Sequence, residues 1–263
     1  MELRVDGHPV FAAIGGRPFD AAQRAVVLVH GAGMDHSYWQ LQSRWFAWHG
    51  WSVLAVDLPG HRGSGGEPLA TIEAMGAWVG RLIDAAGLDT ATLVGHSMGA
   101  LVVLQAAALL PEKIDHLALL GVADAIEVHP ELLAAAKADD PLAFDLVTSW
   151  GHGPAAHVGR NTVPGIWMLG GARQLLARGR PGVLYCDLKA CDEWTGGIEA
   201  AKAVRCPTLI ISGDEDVMTP PKRTETVVNL IAGCTQVMIE NCGHMMIAEA
   251  PDATLDALVA AFH

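Results

Sequence analysis

Gly95-His96-Ser97-Met98-Gly99 is the segment of this chain best suited to covalent chemistry. The apolar run Thr92-Leu93-Val94 precedes it and Ala100-Leu101-Val102-Val103-Leu104 follows, so the serine stands between a strand and a helix. Flanking glycines let the backbone turn too sharply for bulky neighbours, which leaves the hydroxyl exposed at a helix N-terminus. A hydroxyl is a weak nucleophile and needs a base to take its proton. Of the 12 histidines, His244 is placed for that, because Gly243-His244-Met245-Met246 lies between the last strand-like run and the last helical run. Loops at the carboxyl ends of parallel strands gather on one side of a sheet, so His244 and Ser97 can meet there. The base in turn needs an acid that fixes its tautomer and stabilises its charged form. Ser212-Gly213-Asp214-Glu215-Asp216-Val217-Met218-Thr219-Pro220 ends another strand and offers three carboxylates. Asp216 is the choice; Asp214 reads as a turn-capping acid, and Asp124 is a second-line candidate.

The chain order Ser97, Asp216, His244, taken with His30-Gly31-Ala32-Gly33 and Asp57-Leu58-Pro59-Gly60-His61, resembles the α/β-hydrolase family. The resemblance runs from about residue 25 to 120 and from 206 to 262. It implies an α/β-hydrolase fold, a mostly parallel central sheet flanked by helices with a helical cap inserted. It also implies that the amides of Ala32 and Met98 form the oxyanion hole, where losing one donor costs on the order of 10²- to 10³-fold in rate. His30 itself is assigned to structure. One departure is His61-Arg62-Gly63-Ser64, where relatives commonly read His-Gly-Arg-Ser. A serine at the elbow sets the chain apart from dehalogenases and epoxide hydrolases of this fold, which resemble it but carry an aspartate there.

The elements that must position these residues follow from periodicity. Ala25 to Val29, Ser52 to Val56, Thr90 to Val94, Ile114 to Leu120, Pro207 to Ser212 and Gln236 to Glu240 read as strands, mostly separated by helical runs. Such alternation implies right-handed crossovers and a largely parallel sheet covered on both faces. The rhythm breaks between Gly121 and Arg205, too long a connection to be structureless, and Glu131 to Ala138 and Leu142 to Trp150 look helical. Residues 1–121 and 206–263 are therefore expected to form the core, and 122–205 a helical cap. Thr90 to Leu110 carries no formal charge, but its polar residues and the break at Gly95 to Gly99 favour a buried strand and helix over a membrane span.

Composition narrows the functions. The 263 residues are 51% hydrophobic and 17% charged, enough apolar material for a sizeable core. A net charge of −12 repels phosphate backbones and anionic lipid, so neither nucleic acid nor a membrane is an expected partner. Five cysteines without a CxxC pair suggest reduced thiols in the cytoplasm, and the polar N-terminus does not read as an export signal. There is no HExxH, and His152 and His157 read as ordinary cap residues, so neither a metal nor a cofactor is expected.

The expected activity is that of a serine esterase acting on a small-molecule carboxylic ester, with thioesters and lactones close behind. Its rate should rise with pH as His244 loses its proton. Met34, Trp150, Trp167, Met168 and Met218 are candidate pocket lining. From Leu146 to Cys186 there is no acid but four arginines, Arg160, Arg173, Arg178 and Arg180. They either pair with core acids or attract an acidic substrate or an acidic carrier protein bearing an acyl group. The rival activities are a carbon-carbon bond hydrolase of a ring-cleavage pathway, which looks like this family, and a ligand receptor on the same fold.

Overall fold

The computed structural model describes residues 1–160 and 167–262. The chain opens with a hairpin of β1 (Glu2–Val5) and β2 (His8–Ala13), whose turn residues Asp6 and Gly7 both take positive φ, 52° and 80°. Such a turn matches the twist of paired strands, which is why Asp-Gly serves there. The strands β3 (Ala25–Val29), β4 (Ser52–Val56), β5 (Ala91–His96), β6 (Ile114–Leu120), β7 (Thr208–Gly213) and β8 (Thr235–Ile239) complete one eight-stranded sheet in the order β1-β2-β4-β3-β5-β6-β7-β8. β1, β2 and β4 pair antiparallel, and every other neighbouring pair is parallel. β3 to β6 are rich in apolar residues and largely buried because both faces of the sheet are covered.

Helices α1 (Gln40–Trp48), α2 (Ile72–Ala85) and α3 (Met98–Leu109) connect the first parallel strands. Thr71 starts α2 by accepting the amide of Ala74 at 3.1 Å, and Ile72, Met75, Trp78, Val79, Leu82 and Ile83 bury one stripe of it. α3 is apolar on nearly all sides and buried, which accounts for the uncharged run at Thr90 to Leu110. Among the described residues no helix is long and apolar enough to cross a membrane.

Between β6 and β7 the described chain folds as α4 (Pro130–Lys137), α5 (Leu142–Gly151), α6 (Pro154–His157), α7 (Met168–Ala177), α8 (Val183–Glu193) and α9 (Gly197–Ala203). Leu132, Ala135, Val147, Leu176 and Leu188 of these helices form an apolar cluster with Met34 and Met245 from the loops beneath. α9 instead packs on α3 and on α10 (Pro221–Leu230), covering the sheet. A Cβ at Gly197 would lie 1.9 Å from the Asp124 carbonyl, so glycine is required for that approach. The four-residue α11 (Met246–Glu249) and α12 (Pro251–Phe262) close the chain, with Leu258 and Phe262 packed beside Phe46 and Trp51 on the opposite face of the sheet.

Candidate active site

Ser97 sits where β5 turns into α3, with φ 56° and ψ −121°, a strained conformation for a residue with a side chain. The crossing is close enough to dictate its neighbours. A Cβ at Gly95 would lie 2.1 Å from the Gly99 carbonyl oxygen, and one at Gly99 would lie 2.3 Å from that of Val29. The Ser97 amide donates to Leu120 at 2.9 Å, which ties the elbow to the end of β6. Met98, the first residue of α3, has its side chain in the core while its amide belongs to the N–H groups left free at a helix start.

β7 delivers Asp216 and the turn after β8 delivers His244, both almost fully buried. His244 Nδ1 is 2.8 Å from Asp216 Oδ2. Asp216 is held in turn by the amides of Met218 and Thr219 on Oδ1, both at 2.8 Å, and by the Thr219 hydroxyl on Oδ2 at 2.7 Å. Burial pushes the Asp216 carboxyl up, but the His244 ring and these hydrogen bonds outweigh it and hold the group below its ordinary value. A carboxylate on Nδ1 assigns the proton to that nitrogen and leaves Nε2 as an acceptor. Nε2 is buried and makes no hydrogen bond in the structure, while His244 and Ser97 line the same cavity. In an unliganded site the contact between nucleophile and base is commonly loose and tightens with substrate.

Two supports of His244 escaped the sequence reading. His96 Nε2 donates to the His244 carbonyl at 2.8 Å, and burial beside the His244 ring pushes His96 down to about 3, so it stays neutral. Gly121, at φ 59°, lies against the ring, where a Cβ would stand 2.8 Å from Cε1 and 2.9 Å from Nδ1. The positions of His96 inside the serine motif and of Gly121 at the end of β6 were the available signals, but only the packing of distant loops gives them meaning.

Gly31 and Ala32 of the loop after β3 line the cavity, and a Cβ at Gly31 would stand 3.3 Å from that of Ser97. His30 is structural in its contacts: Nδ1 donates to the Gly31 carbonyl at 2.9 Å and Nε2 accepts the Leu58 amide at 3.2 Å. Burial, with the His61 ring beside it, pushes His30 down to about 4. Within His61-Arg62-Gly63-Ser64 the glycine has a spatial reason: Gly63 donates to Asp57 Oδ2 at 2.9 Å where a Cβ would lie 2.8 Å from that of Phe11, whereas Arg62, at φ 33°, takes a conformation that favours glycine. His61 Nε2 then meets the buried Asp187 of α8 at 2.8 Å, and the Gly33 amide donates to the same oxygen at 2.8 Å. Burial alone pulls His61 down, but Asp187 outweighs it and raises it above the ordinary imidazole value.

The cavity has a volume of about 310 Å³. Met34, Trp150 and Met218 line it, together with Ile126, Val128, Leu132, Val147, Leu188 and Met245, which sequence reading did not single out. Trp167 is a correction: it is 74% exposed and outside the cavity, because its ring lies over Gly170 on the outer side of α7. Met168 is buried but is likewise no part of the wall. The other acids are occupied, Asp214 by the Cys242 amide at 3.2 Å and Asp124 by Arg223 at 3.2 Å. Of the arginines, Arg173 pairs with Asp145, Arg178 grips Asp35 through two hydrogen bonds of 2.8 and 2.9 Å, and Arg180 donates to the Gly66 carbonyl. His152 and His157 contact backbone carbonyls of Thr148 and Ser149. Among the described residues Asp35, His36 and Asp57 bring ligand atoms within 4.8 Å of one another. Arg178 occupies Asp35, and His36 and Gly63 occupy Asp57, so the trio is satisfied without an ion.

Residues 26–257 match the alpha/beta hydrolase family. The chain is 32% identical over 238 residues to a pimeloyl-[acyl-carrier protein] methyl ester esterase of Neisseria meningitidis, covering 85% of this chain and 87% of that one. It is 24% identical over 244 residues to the (E)-2-((N-methylformamido)methylene)succinate hydrolase of Acinetobacter baylyi, covering 89% of each. Among solved structures it is similar to the enol-lactonase of Burkholderia xenovorans, with a TM-score of 0.87, 25% identity, and coverage of 100% of this chain and 99% of that one. The chain thus belongs to the alpha/beta hydrolase family and is an esterase-like hydrolase.

Proposed function

We propose that this hydrolase cleaves small-molecule carboxylic esters through Ser97, His244 and Asp216, with thioesters and lactones as chemically adjacent substrates. The observation that carries the reading is one buried pair: Asp216 holds Nδ1 of His244, and Nε2, which makes no hydrogen bond, belongs to a ring that lines the same cavity as Ser97. His244 takes the Ser97 proton as Oγ bonds to the ester carbonyl carbon, and the amides of Ala32 and Met98 hold the oxyanion. Collapse of the tetrahedral intermediate breaks the bond to the alcohol, which leaves with the proton from His244. Water then gives a proton to His244, attacks the acyl-serine and releases the acid, returning Ser97 to its hydroxyl form. In this account α4, α5 and α8, which contribute Leu132, Val147, Trp150 and Leu188 to the wall, act as a cap over the site.

An acyl-carrier protein is a second reading, raised by the similarity to the Neisseria pimeloyl-[acyl-carrier protein] methyl ester esterase. It finds less support, because Arg173, Arg178 and Arg180 are engaged by groups of this chain. A fluorophosphonate probe tests the nucleophile directly. One adduct per folded chain, mapped to the peptide that contains Ser97 and absent in Ser97→Ala, is the expected result; a label elsewhere, or none, contradicts it.

A further inference from the structure

We infer that the site takes esters with an uncharged acyl chain, and that it turns away an acyl chain ending in a carboxylate. The inference rests on the ester-hydrolase reading above. Among the described residues no lysine or arginine lines the cavity, and residues 161–166 contain none. Apart from His96, Ser97 and His244 at the reacting end and His129, whose ring packs on Trp150, the wall is largely apolar, built from Leu132, Val147, Trp150, Leu188, Met218 and Met245.

Glu127 is the one carboxylate among the described lining residues. It stands at the mouth, its side chain 83% exposed, with Arg223 at 3.1 Å. Arg223 also holds Asp124 at 3.2 Å, so this rim cluster of two acids and one base carries a net negative charge. Two arginines of the same stretch of chain are committed elsewhere, Arg173 to Asp145 and Arg178 to Asp35.

An anionic tail entering this cavity exchanges water for largely apolar contacts and meets no lysine or arginine among the described lining residues. Burying an unpaired carboxylate costs more than its methylene groups gain. At about 310 Å³ the volume stands at the small end of ligand sites, so the tail enters without most of its hydration shell. A neutral tail of the same length meets none of these penalties.

Three matched substrates test the inference on the native protein: p-nitrophenyl hexanoate, mono-p-nitrophenyl adipate, and the methyl ester of the latter. At about pH 7.5 the free carboxyl is ionised, and kcat/KM for it is expected to fall on the order of 100-fold below hexanoate. Methyl capping should return the rate to within about tenfold of hexanoate, since it removes the charge and keeps the length. Equal rates for the acid and its capped form would overturn the inference and leave the hydrolase reading intact.

Calorimetric titration of Ser97→Ala with ethyl hexanoate and monoethyl adipate reads the same selectivity without turnover. Preferential binding of the neutral ester supports the inference, and equal binding overturns it. If the native protein cleaves none of the three substrates while the variant still binds selectively, the ester-hydrolase reading fails and the charge selectivity stands.

Discussion

Three buried histidines around the site are driven to different charge states by their surroundings. His96 is pushed down to about 3 and His30 to about 4 by burial, so both stay neutral, whereas Asp187 raises His61. A raised group stabilises the fold fully below its unfolded value of about 6.5, and that contribution is lost as pH rises through the folded value. His61→Ala should therefore cost more in urea unfolding at pH 6 than at pH 9, and an equal cost at both would contradict the ion pair. Gly121→Ala places a methyl group against the His244 ring, so it should lower kcat on the order of 10²-fold. An unchanged kcat would show that the ring is not held by this contact. Ser97, Asp216 and His244, on which the proposed function rests, stood out in the sequence because each lies in a short pattern after a strand. His96 and Gly121 were not, because their roles depend on contacts with a residue more than a hundred positions away.

Among elements, α8 is the one tied most tightly to the loops beneath it. Asp187 accepts from both His61 and the Gly33 amide, next to the loop that carries Ala32. Removing one member of a buried pair leaves the other without its counter-charge, which typically costs about 3–5 kcal/mol. Asp187→Ala should lose that order of stability in chemical denaturation and lower activity by loosening the Gly31 to Gly33 turn. A loss under about 1 kcal/mol would mean that α8 is held by apolar packing instead. Sequence periodicity revealed helices at Glu131 to Ala138 and Leu142 to Trp150, matching α4 and α5 within two residues. It did not reveal which face each one buries. Trp167 was therefore placed in the pocket on residue type alone, although its ring lies on the outer side of α7.

For the whole molecule, the alternation of strands and helices was enough to give a largely parallel sheet, because a buried parallel strand leaves an uninterrupted apolar run. The cavity was legible only in part, since its wall is assembled from both the loops of the sheet and the helices between β6 and β7. Charge balance worked similarly. The arginine-rich stretch was visible, but the partners of Arg173 and Arg178 lie 28 and 143 positions away and appear only on folding. The central claim is that Ser97 attacks an ester carbonyl within this cavity. It is tested most directly by hydrolysis of p-nitrophenyl esters from acetate to palmitate, comparing native protein with Ser97→Ala at equal fold and without added metal. The account predicts a chain-length optimum in the native protein and a loss of at least about 10³-fold in kcat in the variant. Equal hydrolysis by the two proteins, or none by the folded native chain, would contradict it.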